Sequence, residues 1–151
     1  GIADAAPVAD TTRARLREIF EVNVFAVADL TRLLLPLLRA STDGHVIAIN
    51  SGSGFTSGAP GSTLYNGSKH ALRVFTDALR EEERGRIRVT SIHPGRTDSD
   101  MQRQLQAEAG RTYDPSVFVR PESVARLVRT ALETSPEAQL ETLSIRPVVS
   151  L

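Results

Sequence analysis

Tyr65 and Lys69 stand four residues apart in Tyr-Asn-Gly-Ser-Lys, and Ser51-Gly52-Ser53-Gly54 lies a short loop upstream. On a helix that spacing puts both side chains on one face, one turn from each other. An ammonium so close to a phenol favours the phenolate, so the Tyr65 pKa is expected to fall from its free value near ~10. A phenol tuned this way serves as a general acid toward a carbonyl or a base toward an alcohol. A serine hydroxyl in a facing loop could hold the same substrate oxygen. Tyr-x-x-x-Lys alone is common by chance, so its meaning depends on the elements that position it.

The first of those elements is a long amphipathic helix, which Asp10, Thr11 or Thr12 can cap. Leu16, Ile19/Phe20, Asn23, Val27, Leu30, Leu34 and Leu37/Leu38 recur along it at helical spacing, with Pro36 expected to kink or end it and Gly44 to close it. Asn23 is the polar member of this apolar stripe. Either it ties down a neighbouring loop, or it reaches a water or backbone group near the Tyr–Lys face. His45–Asn50 is a β-branched apolar run, read as a strand buried on both faces and central in a parallel sheet. The Ser-Gly-Ser-Gly run sits at its carboxyl end, where open α/β sheets gather ligands. Residues 55–63 are loop, and a helix runs from about Thr63 to Arg84 with two apolar stripes. The small residues Gly67, Ala71 and Ala78 on one of them suggest a dimer face or a close contact within the chain.

Arg86–Ile92 is the next strand, leading into His93-Pro94-Gly95-Arg96-Thr97. Strand, loop, helix and strand make a βαβ unit with both loops at one edge of the sheet. The segment from Asp98 to Arg120 is long enough for a substrate-contacting lid, or is a surface helix with a ragged loop. Pro121 opens another helix, and Leu140–Ile145 is a last strand.

The 151 residues suit one domain with a sizeable core, 40% of them apolar and 24% charged. Eighteen basic residues balance eighteen acidic ones, which gives no reason to expect nucleic acid or an anionic membrane as partner. No cysteine is present, so thiol catalysis and thiolate metal sites are excluded. His45, His70 and His93 are dispersed, and no metal site is expected. No apolar run approaches a membrane span and no leader pattern is legible, so the expected location is cytoplasmic.

Taken together, Asn23 in Glu-Val-Asn-Val-Phe, Ser51 after a hydrophobic strand, Tyr65-x-x-x-Lys69, Pro94-Gly95 after the next strand and the closing Ile-Arg-Pro resemble the short-chain dehydrogenase/reductase family. The resemblance covers essentially the whole chain. It implies a doubly wound parallel-sheet α/β Rossmann fold and an NAD- or NADP-dependent oxidoreductase acting on a carbonyl or alcohol. Tyr65 would be the acid/base, and Lys69 would bond the nicotinamide ribose and lower the Tyr65 pKa. Ser51 would position the substrate oxygen, and Asn23 would hold a water in a proton relay. Pro94, Gly95 and Thr97 would line the nicotinamide. A homodimer or homotetramer through the two long helices is also implied.

The sequence departs from the family in two ways. Ser51 stands one residue farther from Tyr65 than is usual and Ser53 one nearer; an insertion within Phe55–Gly61 favours Ser51, with Ser53 as the alternative. The family's Gly-rich cofactor turn and its surrounding strands are absent, and Gly1 looks like the end of an Asn-Ala-Gly motif. Residues 1–151 thus read as the C-terminal part of one Rossmann-type domain. The strand at His45–Asn50 would then lack a neighbour on one side, and the chain alone would bind a dinucleotide poorly and tend to aggregate. Rival readings are a non-catalytic dinucleotide sensor or scaffold, an inactive truncated fragment, and, last, nucleotide-sugar epimerase or dehydratase chemistry.

Overall fold

The structure is a computed structural model that describes residues 1–56 and 60–149. Three parallel strands, β1 (His45–Ile49), β2 (Arg88–Pro94) and β3 (Thr142–Ile145), lie side by side in chain order. Ile49 pairs with Ile92 in one ladder, and Ile92 with Leu143 in the other. The helices are α1 (Arg13–Phe20), α2 (Ala26–Ala40), α3 (Thr63–Glu82), α4 (Asp100–Glu108) and α5 (Pro121–Glu133). The βαβ unit read from the sequence is therefore present. All seven residues of β2 are buried, as a run of Arg-Val-Thr-Ser-Ile-His-Pro between two strands requires.

β1 is not central. Among the described residues it pairs on one side only, and Ile49 is half exposed. An apolar, β-branched run reports a strand built for burial, but whether both neighbours are supplied depends on segments elsewhere. The expectation of a strand missing one neighbour describes this edge.

The first long helix contains a feature that periodicity does not show. Thr12 caps α1, its hydroxyl accepting from the Arg15 N–H. Glu21–Phe25 then form a π turn before α2 begins. A π turn inserts extra backbone into the helix and rotates the facing of every residue beyond it. Ile19, Asn23 and Thr31 are buried, and Leu35 and Leu38 pack on the core formed by Leu79, Ile87 and Val89. Leu30, Leu34 and Leu37, expected to face inward, are instead exposed, Leu37 by 70%. Pro36 does not end the helix, which continues to Ala40.

On α3, the face bearing Leu72, Thr76 and Leu79 is buried, while Gly67, Val74 and Ala78 on the second stripe are exposed. Two buried arginines, Arg80 and Arg88, and the exposed Arg39 bind the layers to the sheet. Arg80 donates to the Val89 and Glu141 carbonyls, Arg88 to the Thr134 carbonyl and Asp43, and Arg39 pairs with the buried Glu83 carboxylate. Each guanidinium satisfies backbone or carboxylate oxygens that would otherwise be left unpaired.

The segment after β2 is ordered. Thr97 bridges to Val119, and the Asp98 N–H donates to the Val119 carbonyl, so its two ends are pinned together. Ser99 caps α4, and Tyr113 stacks on Phe118 while donating to Asp98. Among the described residues no helix is long and apolar enough to cross a membrane.

Candidate active site

Parallel pairing of β1 and β2 brings Ser51 and the His93–Thr97 segment to the same edge of the sheet, and α3 lies across that edge. Ser51 opens a short 3-10 turn, Gly52–Gly54, and its Oγ accepts from the Ser53 N–H at 3.1 Å. The Ser51 hydroxyl stands close enough to the Tyr65 phenol to favour its ionised form. Of the two serines, Ser51 is the one whose hydroxyl influences the Tyr65 pKa. The expected insertion in Phe55–Gly61 falls partly on residues 57–59, outside the described residues.

Lys69 stands one helical turn after Tyr65 and is only 5% exposed. Its Nζ donates to the Ile49 carbonyl at 3.4 Å and lies 5.8 Å from the centre of the Tyr65 ring. Burial lowers the Lys69 pKa to about 8. Burial also raises the Tyr65 pKa, only partly offset by the neighbouring Ser51 hydroxyl. The expected fall of the Tyr65 pKa is therefore corrected. The ammonium is directed at a strand carbonyl and is itself desolvated, so withdrawal from water outweighs its pull on the phenol.

Asn23, 1% exposed, uses both amide N–H donors and one of the two acceptor sites on its amide oxygen. Its Oδ1 accepts from the Ile2 N–H at 2.8 Å, and its Nδ2 donates to the Ile2 carbonyl and to the Ser68 hydroxyl. Ser68 in turn donates to the Tyr65 carbonyl at 2.8 Å. Asn23 thus ties the first loop to the Tyr–Lys helix, one of its two expected roles. A Cβ on Gly1 would stand 2.5 Å from Asn23 Oδ1 and 3.4 Å from Lys69 Nζ, so only glycine fits against this pair.

Pro94 is the last residue of β2 rather than the first of a loop, and the Gly95 N–H donates to the Ile145 carbonyl at 2.7 Å. Thr97 is half-buried and donates to the Gly95 carbonyl. Arg146 of the closing Ile-Arg-Pro donates to the His93 carbonyl. It passes so close to Gly52 and Gly95 that a Cβ on either would lie within 3.0 Å of it. These glycines allow the β3 end to lock against both site loops. Ser68, Ser91, His93 and Arg146 were not among the expected site residues. A histidine and a serine within a strand of the parallel sheet were the available signal for two of them.

The chain as a whole is similar to known proteins. Residues 1–110 match the family described as short chain dehydrogenase. The uncharacterized short-chain type dehydrogenase/reductase y4eK of Sinorhizobium fredii is 31% identical over 147 residues, covering 95% of this chain and 59% of its own. Dehydrogenase/reductase SDR family member 11 of Bos taurus is 34% identical, over 87% of this chain and 55% of its own. A solved chain described as a short chain dehydrogenase from Escherichia coli CFT073, complexed with NADPH, superposes with a TM-score of 0.81 at 28% identity, over 95% of this chain and 58% of that one. The chain belongs to the short chain dehydrogenase family, and its fold is part of that family's parallel-sheet α/β Rossmann architecture. It spans a little over half the length of these relatives.

Proposed function

We propose that residues 1–151 form the catalytic, C-terminal part of one Rossmann-type domain in an NAD- or NADP-dependent oxidoreductase. The enzyme moves a hydride between the nicotinamide and a carbonyl or alcohol, with Tyr65 giving or taking the proton. The observation that carries this reading is the convergence of Ser51, at the carboxyl end of β1, with Tyr65 and the buried Lys69, whose Nζ lies 5.8 Å from the centre of the Tyr65 ring. The similarity to named dehydrogenases, one of them solved with NADPH, supports it.

The residues present fit the nicotinamide-ribose half of such a cofactor. Lys69 Nζ has three N–H donors and, among the described residues, one long bond to a strand carbonyl. It is therefore poised to bond a ribose diol. Pro94, Gly95 and Thr97 line the neighbouring strand end. When bound, the nicotinamide supplies or accepts the hydride. Tyr65 holds the proton at the substrate oxygen, and Ser51 orients that oxygen. Asn23, through the oxygen lone pairs left on its amide and backbone, holds a relay water toward Lys69. The Gly-rich turn for the pyrophosphate has no counterpart in this sequence. Residues 1–151 alone are therefore expected to bind NADH or NADPH more weakly than millimolar; micromolar binding in a titration calorimeter would overturn that division of labour.

The direct test is a hydride-transfer assay. The full-length protein carrying this chain is mixed with NADH or NADPH and a panel of aldehydes and ketones, with nicotinamide absorbance as the readout. Turnover that requires both a carbonyl and one of the cofactors is the expected result. No turnover with any pairing, despite tight cofactor binding, would favour a sensor. The activity belongs in the cytoplasm, on small-molecule carbonyl and alcohol substrates, with neither nucleic acid nor membrane as partner.

The partner at the outer faces of α2 and α3 is a second copy. Leu30, Leu33, Leu34 and Leu37 on α2 and Val74 on α3 are exposed, beside the small exposed residues Gly67 and Ala78. A row of exposed leucines of this kind is the sort of apolar face that marks an interaction site. Sedimentation of the full-length protein is expected to show a dimer or tetramer, and the double change Leu33→Glu with Leu37→Glu to give a smaller species. An unchanged assembly with both glutamates would mean that this face is covered from within the protomer.

A further inference from the structure

His93 is an imidazole with no solvent exposure and with both ring nitrogens engaged. Nδ1 lies 2.8 Å from the Ser51 carbonyl oxygen. A carbonyl can only accept, so Nδ1 carries the proton. Nε2 is then unprotonated and accepts from the Ser91 hydroxyl, also at 2.8 Å. Phe55 covers the ring with its centroid 4.5 Å away. Burial holds the imidazole pKa below its usual value, which keeps this neutral tautomer at working pH. Within its own turn, the same Ser51 carbonyl accepts from the Gly54 N–H at 3.0 Å, while Ser51 Oγ accepts from the Ser53 N–H.

We propose that His93, oriented by Ser91, is a positioning residue that clamps the Ser51 peptide so that its hydroxyl stays aimed at the Tyr65 phenol. The inference rests on the reading of Ser51 and Tyr65 as the pair that holds the substrate oxygen. The physical reason is connectivity. The carbonyl and the Oγ hang from one residue, and Ser51 sits where β1 has ended and sheet pairing no longer restrains it. Turn bonds from Gly54 and Ser53 come from the same short loop and would move with it. The Asn50 N–H donates to the Ile92 carbonyl one residue earlier, and the bond from His93 is the one by which the Ser51 carbonyl itself is held to β2, the most buried strand. Displacing a catalytic group by an ångström can cost on the order of a hundredfold in rate.

The test uses His93→Leu, His93→Asn, Ser91→Ala and Tyr65→Phe in the full-length protein, each checked for folding by thermal melting. His93→Leu is expected to lower kcat roughly ten- to hundredfold, with carbonyl KM and cofactor Kd within about twofold of the parent. His93→Asn, whose amide N–H can replace that of Nδ1, is expected to recover most of the loss, and Ser91→Ala to lose less than His93→Leu. Unchanged kcat in His93→Leu, beside a Tyr65→Phe enzyme that has lost turnover, would overturn the clamp while leaving the catalytic reading intact. A loss that Asn does not recover would reduce His93 to packing and overturn it equally. Retained turnover in Tyr65→Phe would instead sink the catalytic reading. The clamp is then decided, as it is if His93→Leu does not fold, by the imidazole 15N spectrum of the parent protein at pH 7. Protonation on Nδ1 supports it, and protonation on Nε2 overturns it.

Discussion

Tyr65→Phe is expected to lower kcat by about 10²–10⁴-fold while leaving nicotinamide Kd within about twofold, because it deletes one oxygen and nothing that binds the cofactor's bulk. The phenol is the group at this strand edge able to hand a proton to a substrate oxygen. The Ser51 hydroxyl beside it accepts from Ser53 and is far too weak an acid to substitute. Since burial raises the Tyr65 pKa, the phenol is protonated at neutral pH. Under the proposed function this favours carbonyl reduction, for which the phenol is the required form. Alcohol oxidation needs the phenolate, and its kcat/KM should climb with pH on the alkaline side while reduction stays level. Measurement of both directions from pH 6 to 10 checks this; a reduction rate that falls from pH 7 upward would mean that bound ligands bring the phenol well below its ordinary value. Retention of more than a tenth of the parent turnover in Tyr65→Phe would remove the proton-transfer role.

Lys69→Met is expected to abolish turnover yet stabilise the fold at pH 7. The ammonium is buried with one long hydrogen bond, and its pKa falls from 10.5 to about 8. Below pH 8 the lysine is charged in both folded and unfolded chains, and the fold carries the whole cost of burying it. Between pH 8 and the unfolded value the folded lysine releases its proton while the unfolded one keeps it. The unfolded state then binds more protons, so stability rises with pH through that window. The full difference amounts to about 3 kcal/mol. Urea unfolding at pH 7, 8 and 9.5 should show the parent gaining stability with pH and Lys69→Met starting higher and staying flat. A parent curve that is level across this range would show that the ammonium is solvated or paired. The raised Tyr65 pKa acts in the opposite sense only above about pH 10, where the unfolded phenol ionises first, which is why the series stops short of it. A site that destabilises its own fold until a ligand offers the lysine hydroxyl partners is a common compromise between stability and activity.

Much of the site could be read from local residues. Tyr65-x-x-x-Lys69 needed only a helix to share a face. Ser51 needed only to come after a strand whose β-branched residues identify it, and Pro94-Gly95 after the next. Asn23 announced itself as an amide in an apolar stripe, and its burial against Ile2 and Ser68 is what such a residue requires. The parallel α/β class came from alternation of apolar runs with helical periods. These features rest on interactions within a few residues, which a sequence carries directly.

Other features were settled only in three dimensions. Periodicity assumed 3.6 residues per turn, so it could not foresee the π turn at Glu21–Phe25 that turns Thr31 and Leu35 inward and Leu30, Leu34 and Leu37 out. Composition showed β1 as a strand made for burial, but its edge position depends on which neighbour the chain supplies. The sign of the Tyr65 shift reversed because spacing measures only how near a lysine lies. Burial, contributed by loops and strands distant in sequence, decides how much water both groups lose. His93 reaches Ser51 across 42 residues of chain for the same reason. Sequence determined which groups were available and on which element each was carried, whereas desolvation and hydrogen-bond partners depend on the whole surrounding structure, and only the tertiary fold decided them.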